Sequence, residues 1–423
     1  MQGEDGSMND CLRTGCKTCA GTYSDSAEMR ISAKDGVYLP WKETFKDCEY
    51  GESELCTAAC PGRSIDFDEI NRFVFGKQAE DLFLGNYAGC YIGHAIWDGE
   101  APKTVSSGGM VTALMTLAME EHLIDNAVVT RMRRDRPLEP EVFIARTREE
   151  LVSSAGSKYV PVPVNATLRS VLRKDETFGI VGLPCHMAGI RKAEMASGEL
   201  RKNLILHMGL FCSHNVNFFG TQFLLEKLHI REDEITRLDY RGSGWPGGMS
   251  IGFRDGREKF IPMNSYYPLF APFFFTPTRC LLCSDGTNEL ADISFGDAWL
   301  RKLVDRGRGQ SLIIARSQVG EQLLQEAIVR RRVKVSKVSR RLVIKAQRGM
   351  LLRKKKKLKA YIAVAKLFGM KVPEFNTRLL EPDPTDYVRA LPIVAAIHVI
   401  PRRVLSKQLS LIPLSVLRSL SRL

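Results

Sequence analysis

Hydrophobic and polar positions divide the centre of the chain into short buried strands and an apolar helix. A run of apolar residues with helical spacing begins at Met110, directly after a Ser-Ser-Gly-Gly sequence. Runs that begin near Ile124, Phe178 and Leu204 are short, apolar and bounded by turn residues, which is typical of strands buried in a sheet. The mixture predicts an α/β protein with a mixed sheet core and flanking helices.

Two of these predicted strands lead directly into a cysteine. One ends in a Gly-Leu-Pro turn before Cys185, and the next leads into Cys212. Ligands of open α/β sheets gather at the carboxyl ends of strands, so both cysteines are natural partners for the Cys-x-x-Cys pair Cys280 and Cys283. The alternative is that Cys185 and Cys212 are small buried hydrophobic residues. Together with the Cys-x-x-Cys pair, the pattern favours one site with four cysteine ligands.

A second group of cysteines lies near the N-terminus. Three are closely spaced and a fourth stands before Pro-Gly, surroundings that are typical of iron–sulfur ligands. The predicted ligands of this site are Cys11, Cys16, Cys19 and Cys60. Cys56 and Cys48 are alternatives for the fourth position, and a structural zinc site is the competing interpretation of the group. Cys90 has no evident partner.

The start of the apolar helix and a loop further on carry residues suited to a cofactor. Serine and two glycines before a helix leave free N–H groups for a phosphate, although an ordinary serine N-cap is the simpler alternative. The Gly-Ser-Lys-Tyr sequence at 156–159 would place a cation and a phenol beside a cofactor, or it forms a plain surface loop. Each feature alone is a weak indication.

A glycine-rich segment at 240–249 and three histidines add further candidates. The segment is interpreted as a loop closing over a planar ligand, with Arg241 or Trp245 against it, or as a tight hairpin. His186, His207 and His214 lie near the predicted four-cysteine site and are expected to be structural. Proton transfer at His186 is the alternative.

Length and cysteine content restrict the class of protein. The 423 residues are enough for two or three domains. No run of about 18 apolar residues is present, and the acidic N-terminus does not resemble a secretory signal. We therefore expect a cytoplasmic protein whose eleven cysteines act as ligands or catalytic groups in a reducing compartment.

The positive charge of the chain is concentrated at its C-terminal end. The chain has a net charge of +13, and 23 Lys and Arg residues but only 4 acidic residues lie from Arg331 onward. Basic and apolar residues alternate there, which suits amphipathic helices on an anionic membrane at the inner face. A solvated basic helix packed on the acidic body is the alternative, and no motif indicates nucleic-acid binding.

These patterns predict three regions. A small iron–sulfur segment occupies residues 1–75, a cofactor-binding catalytic domain occupies 76–325, and a basic helical tail occupies 326–423.

As an ordered set, the motifs resemble the family of beta subunits of coenzyme F420-reducing hydrogenases and dehydrogenases. The matching pieces lie at 107–109, 156–159, 182–185, 211–212, 280–285, 291–294 and 296–299. Two positions depart from the family pattern. His186 stands where a glutamine is familiar after Pro-Cys, and Thr18 stands where the first cluster motif has glycine.

The resemblance implies cofactors, partners and site residues. The family binds FAD and one or more [4Fe–4S] clusters, and it includes ferredoxin-dependent pigment reductases and bacterial members associated with polysaccharide genes. We therefore expect FAD and two [4Fe–4S] clusters here. Electrons would pass between a ferredoxin-like carrier or coenzyme F420 and a bound small-molecule acceptor, with polysaccharide biosynthesis as one setting.

Several residues receive roles from this resemblance. The residues expected to contact FAD are Ser107, Gly108, Gly109, Ser157, Lys158 and Tyr159. The candidate catalytic residues are Lys158, next to the expected flavin, and His186, which is a candidate for proton transfer from its residue type and position and not from the resemblance. A zinc-stabilised binding or scaffold protein, recruited to a membrane by its tail, is the alternative function.

Overall fold

The structure is a computed structural model in which fifteen strands and fourteen α-helices are described. It describes residues 15–18, 21, 29–32, 36–40, 59–97, 99, 102–270, 273–300, 303, 309–399, 409 and 412. The strands are β1 (Met29–Ile31), β2 (Tyr38–Pro40), β3 (Ser64–Asp66), β4 (Gly89–Ala95), β5 (Asn126–Met132), β6 (Pro140–Ala145), β7 (Phe178–Gly182), β8 (Leu204–Leu210), β9 (Ile235–Gly242), β10 (Gly248–Phe253), β11 (Glu258–Pro262), β12 (Ile293–Asp297), β13 (Ser311–Ala315), β14 (Val333–Lys337) and β15 (Glu374–Asn376).

The helices surround the strands. They are α1 (Phe67–Phe75), α2 (Met110–Glu120), α3 (Arg148–Ser153), α4 (Leu168–Leu172), α5 (Pro184–Ala196), α6 (Gly198–Asn203), α7 (Phe218–Lys227), α8 (Met263–Tyr266), α9 (Thr278–Leu281), α10 (Gln318–Val329), α11 (Arg340–Ala346), α12 (Arg348–Leu352), α13 (Leu358–Leu367) and α14 (Pro384–Val399). None of the helices in the described part of the chain is long and apolar enough to cross a membrane.

A mixed eight-stranded sheet forms the centre of the fold. Its strand order is β14-β4-β13-β12-β8-β7-β5-β6. The four central strands β12, β8, β7 and β5 are parallel, and antiparallel strands flank them on both sides. The predicted α/β fold with a mixed sheet is confirmed.

Both faces of this sheet are covered by helices. Successive side chains of a strand point to opposite faces, so each strand contributes residues to two separate cores. On β13, Ile313 packs with α2 and α10 on one face, whereas Leu312 and Ile314 pack with α11 and α12 on the other. Helix α5 covers the second face beneath β7 and β8. Strands buried on both faces explain why the sequence shows apolar runs here and not strict alternation.

A smaller antiparallel sheet stands beside the carboxyl edge of the main sheet. Its order is β11-β10-β9, and it shares a core with α7 and α8. The glycine-rich segment predicted as a loop or a hairpin is the connection between β9 and β10, so the hairpin is confirmed.

The basic C-terminal region is built into the body of the protein. Strand β14 pairs with β4 at one edge of the main sheet, and β15 pairs with β3. Between α12 and α13, the basic run at 353–357 forms a π-helical turn. Lys354 and Lys355 in this turn are 2% and 1% exposed. The expectation that this run faces solvent or a membrane is wrong for these two lysines, because the turn directs them inward.

Candidate functional site

Two of the predicted cysteine ligands emerge from the carboxyl edge of adjacent parallel strands. Strand β7 ends at Gly182 and is followed by α5, whose second residue is Cys185. Strand β8 ends at Leu210, two residues before Cys212. Because Gly182 is aligned with Gly209 in the parallel pair, both cysteines leave the sheet on the same side.

The Cys-x-x-Cys pair is brought to the same edge by a loop. Cys280 lies in α9, and Cys283 follows this short helix. The backbone N–H of Cys212 donates to the carbonyl oxygen of Gly286 at 2.9 Å, which ties this loop to the end of β8. The carboxylate of Asp285 accepts backbone N–H groups of two later residues, at 2.8 and 2.9 Å, and holds the turn after Cys283.

The thiols of this edge influence one another electrostatically. Burial raises the pKa of Cys185 well above its usual range, and the neighbouring Cys16, Cys280, Cys212 and Cys283 raise it further. Burial also raises the pKa of Cys212 to about 12, with Cys280 and Cys283 contributing. Since such effects fall with distance, the predicted four cysteines lie in one region, with Cys16 close by.

Positive side chains surround this thiol group. Burial opposes ionisation of Cys283, but the charges of Lys354 and Arg279 outweigh it and lower the pKa of this thiol. Arg353 lies close enough to three of the cysteines for their charges to affect its own pKa. Thiolates need such cations when they are taken out of water together.

Four thiols and nearby cations are the donor chemistry that an iron–sulfur cluster requires. Among the described residues, however, no group of three or more His, Cys, Asp or Glu side chains is arranged to hold a metal ion. A cluster is bound by one thiolate on each of its iron atoms and not by several ligands on one ion, so the four thiols at one edge of the sheet have the residue types and the position that a cluster needs.

Two of the predicted N-terminal ligands lie along one face of α5. An added Cβ at Gly189 would lie 2.2 Å from Thr18 Oγ1, so this glycine lets residues 16–18 pack on the helix. One turn later, Lys192 donates to the carbonyl oxygen of Cys60 at 3.1 Å. Because Cys185 lies on the same helix face, Cys16 and Cys60 approach it from one side.

The remainder of the N-terminal set lies outside the described residues: Cys11, Cys19, Cys48 and Cys56. The composition of that site therefore stays a prediction. Thr18, which departs from the family pattern, accepts a hydrogen bond from the Asn165 amide at 2.7 Å and contacts the Cys16 sulfur at 3.2 Å. Cys90 is a buried residue of β4 in the core.

A cavity of about 380 Å³ lies beside Cys212 and collects the predicted flavin-site residues. This size is within the usual range for small-molecule sites. Residues with predicted roles that line it are Ser107, Gly109, Ser157, Lys158, Tyr159, His186 and Cys212. Gly108 does not line it. Its N–H donates to Ser311 Oγ at 3.1 Å, and an added Cβ would lie 2.6 Å from the Gly93 carbonyl oxygen.

The N-terminus of α2 opens into this cavity. Met110, Val111 and Thr112, the first three helical residues, line it, and their N–H groups lie in the first turn, where a helix has no internal acceptors. Ser106 links this helix start to two other walls. Its hydroxyl accepts the Ser157 N–H at 2.8 Å and donates to the Arg241 carbonyl oxygen at 3.3 Å. A phosphate group would be bound favourably here.

Lys158 is held by the C-terminus of α3. Its ammonium donates to the carbonyl oxygens of Ser154, Ala155 and Gly156, the last at 2.9 Å. Burial lowers the pKa of Lys158 to about 7, and the Asp239 carboxylate opposes this shift. The lysine therefore shapes the loop at 154–158 and also presents a titratable amine to the cavity.

Two backbone groups hold the His186 ring. Nδ1 accepts the Leu183 N–H at 3.0 Å at the start of α5, and the ring hydrogen-bonds with the backbone of Val162. Burial lowers the pKa of His186 to about 4. These contacts suit a neutral structural histidine. The predicted catalytic roles of His186 and Lys158 stay predictions.

Arg241 and Trp299 form another wall of the cavity, and the Trp245 ring packs against that of Trp299 with 4.9 Å between the ring centres. The guanidinium of Arg241 lies 4.7 Å from the ring centre of Trp245 and 5.5 Å from that of Trp299. Asp297 fixes it by an ion pair of 2.5 Å. Within the described part of the chain, no hydrogen-bond acceptor is assigned to its buried Nη2. This wall offers an aromatic face and a cation to a ligand.

Beneath the thiol group, four charged side chains form a buried network that sequence reasoning did not identify. His207 contacts Glu194 at 2.7 Å and Asp292 at 2.9 Å, and Arg191 contacts Glu194 at 3.0 Å and Asp292 at 3.3 Å. Burial and Arg191 lower the pKa of His207, but Glu194 and Asp292 outweigh them and raise it. The network joins α5, which carries Cys185, to β8 and β12.

One prediction concerns the start of α2. Gly109 has a φ of 71°, and an added Cβ would lie 2.8 Å from Trp97 Cζ2. We expect Gly109→Ala to displace the helix start and to reduce the amount of bound flavin several-fold. Flavin absorbance after purification, normalised to protein, measures this effect.

Gly76→Ala is the matched control for this substitution. Gly76 also has a φ of 71°, but an added Cβ would meet nothing within 4 Å. Both alanines should cost about 1–2 kcal/mol through the left-handed conformation. If both variants lose the same amount of flavin, the helix start is not the flavin site.

The fold and the site define an α/β protein with a ligand cavity and a thiol-rich centre at the carboxyl edge of its parallel strands. Two sequence models of the coenzyme F420 hydrogenase/dehydrogenase beta subunit match the chain. The model of the N-terminal part matches residues 97–169, and the model of the C-terminal part matches residues 175–341. The chain therefore belongs to the coenzyme F420 hydrogenase/dehydrogenase beta subunit family.

Individual relatives agree with this assignment. The coenzyme F420 hydrogenase subunit beta of Methanosarcina barkeri is 28% identical over 260 residues, covering 59% of this chain and 81% of the relative. The same subunit of Methanothermobacter thermautotrophicus is 28% identical over 290 residues, covering 65% of this chain and 94% of the relative.

A solved structure supports the fold. A chain of the F420-reducing [NiFe] hydrogenase complex from Methanosarcina barkeri aligns with a TM-score of 0.54 at 22% identity. The alignment covers 69% of this chain and 98% of that chain.

Proposed function

We propose that this chain is an electron-transferring oxidoreductase that uses FAD and [4Fe–4S] clusters. The observation that carries the proposal is the position of Cys212, which borders both the four-thiol region and the cavity lined by the predicted flavin residues. Membership of a family whose named relatives are hydrogenase subunits supports the redox class. An iron–sulfur centre would supply single-electron transfer, and FAD would connect it to two-electron chemistry.

The residues of the chain have distinct tasks in this proposal. Cys185, Cys212, Cys280 and Cys283 would hold a cluster at the edge of the sheet. The first turn of α2 would bind a phosphate group of the flavin, and Lys158 and Tyr159 would border its ring system. The wall formed by Arg241 and Trp299 would orient an aromatic or anionic acceptor and exclude water from it.

The electron donor and acceptor are proposed from the names of the relatives and from the position of the N-terminal cysteines. Reduced coenzyme F420 is one proposed carrier, because the relatives are named for coenzyme F420. A reduced ferredoxin-like protein is the other proposed carrier. The predicted N-terminal site would receive electrons from a protein carrier, since Cys16 and Cys60 lie along the same helix face as Cys185. The small-molecule acceptor and a role in polysaccharide biosynthesis stay predictions, as do the cytoplasmic location and the membrane contact of the tail.

Anaerobic purification followed by iron, sulfide and flavin assays tests the proposed function. We expect about eight iron atoms and one FAD per chain if both sites hold [4Fe–4S] clusters, and about four iron atoms if only the four-thiol region does. A colourless protein that contains zinc would contradict the proposal. It would favour the zinc-stabilised scaffold protein instead.

A further inference from the structure

The basic run at 353–357 separates into paired lysines and one lysine directed at the thiol region. Lys355 Nζ lies 2.6 Å from Glu289 Oε1 in the interior. Lys356 pairs with the exposed Asp383 at 2.5 Å, and Lys357 lies 3.7 Å from the buried Asp386. Among the described residues, no carboxylate lies within ion-pair distance of Lys354. Its charge is therefore available to another buried group.

Lys354 is directed toward the loop that carries Cys283. An added Cβ at Gly286 would lie 3.1 Å from Lys354 Cδ, so the aliphatic stem passes over this glycine. The Lys354 side chain is 2% exposed, and the carbonyl oxygen of Gly286 accepts the backbone N–H of Cys212 at 2.9 Å, so the buried ammonium lies in the region where the loop meets Cys212. Its charge is close enough to act on Cys283, Cys212 and Cys280. Three of the four proposed cluster ligands therefore lie within the electrostatic field of Lys354.

The neighbouring charges have other fixed partners. Arg353 donates to the Ser213 hydroxyl at 3.1 Å and stacks on Phe273 at 5.1 Å. Arg279 donates to three backbone carbonyl groups, at 2.9 to 3.2 Å. Asp285 is the nearby negative charge, and it accepts two backbone N–H groups. Lys354 differs from both arginines because, among the described residues, no carbonyl or carboxylate group accepts a hydrogen bond from its ammonium, whereas both arginines donate to backbone carbonyl groups.

We propose that Lys354 raises the reduction potential of the centre held by Cys185, Cys212, Cys280 and Cys283. The inference rests on the proposed iron–sulfur function. It assigns a role to a part of the chain that lies beyond residue 341, where the match to the family ends. The π-helical turn supports it, since such turns are rare and often occur at functional sites.

The physical basis is the charge that reduction adds. A cluster held by these cysteines would accept one electron from the reduced carrier and become more negative by one charge, without any bond to the protein forming or breaking. In a water-poor interior, a nearby cation stabilises the reduced form more than the oxidised form. Cluster potentials respond to the net charge of the site and to hydrogen bonds to its sulfur atoms.

A redox titration of the purified protein, followed by electron paramagnetic resonance, tests this role. Lys354→Met removes the charge and keeps most of the stem, and Lys354→Arg keeps the charge. We expect Lys354→Met to lower the reduction equilibrium constant about tenfold, which corresponds to about 59 mV for one electron. The reduction potential of Lys354→Arg should stay near that of the unsubstituted protein. Lys356→Met, in the same turn but paired with Asp383 nearer the surface, should leave the potential unchanged.

Iron content distinguishes the remaining outcomes. If Lys354→Met folds but loses its iron while Lys354→Arg keeps it, the buried charge is required even to retain the cluster, which supports the proposal. Equal potentials in the methionine and arginine variants, or equal loss of iron from both, would overturn it because the charge would then make no difference. Absence of iron from the unsubstituted protein would instead refute the proposed function, and this inference with it.

Discussion

Replacement of Cys280 by serine is expected to remove about four iron atoms per chain and the visible absorbance that accompanies them. Cys280 is one of four thiols whose charges act on one another at the carboxyl edge of the sheet, and a serine hydroxyl is a much poorer ligand for iron. Iron and sulfide assays on the anaerobically purified variant measure the loss. Electron transfer to the flavin should be lost with the iron.

Cys90→Ser is the matched control for this experiment. Cys90 is a free thiol like Cys280, but it is fully buried, lies in β4 and packs in the hydrophobic core. Its replacement should lower stability without changing the iron content. If Cys280→Ser keeps its full complement of iron while the circular dichroism spectrum shows a folded protein, the four-thiol region does not hold the cluster.

Replacement of Asp292 by asparagine is expected to reduce the free energy of unfolding by about 3–5 kcal/mol. The carboxylate lies 2.9 Å from His207 Nδ1 and 3.3 Å from Arg191 Nη2, and it also accepts the backbone N–H of His207 at 2.8 Å. Loss of its charge leaves Arg191 and His207 insufficiently neutralised in the interior. Urea unfolding followed by circular dichroism measures the change.

Asp255→Asn provides the comparison for this substitution. Asp255 pairs with Arg257 at 2.5 Å, but both side chains are at least half exposed on the turn between β10 and β11. Water screens this pair, so the free energy of unfolding should hardly change. Equal effects of the two substitutions would contradict the view that burial makes the network at Asp292 important.

The same buried network gives a structural role to the motif that contains Asp292. Asp292 belongs to the Ala-Asp-Ile-Ser piece of the family resemblance, and sequence reasoning left its role open. In the fold, it joins the start of β12 to β8 and to α5. Its partners lie 85 and 101 positions away along the chain, so no local pattern could have revealed them.

Local patterns were sufficient where short-range physics determines the structure. Apolar runs bounded by glycine and proline predicted β7 and β8, and helical spacing predicted α2 from Met110. The carboxyl-edge rule for open sheets then placed Cys185 and Cys212 together. These inferences needed only the period of the hydrophobic positions and the chemistry of turns.

The sequence by itself determined the α/β class, the two cysteine-bearing strands, the start of α2 and the family. Only the tertiary structure decided where the charges lie. The run of lysines at 353–357 looked like a solvated or membrane-facing surface, yet Lys354 and Lys355 are buried beside the thiol loop and Glu289. The reason is physical: a lysine can be buried where distant parts of the chain bring a thiol or carboxylate to it, and a linear sequence does not show which partners meet.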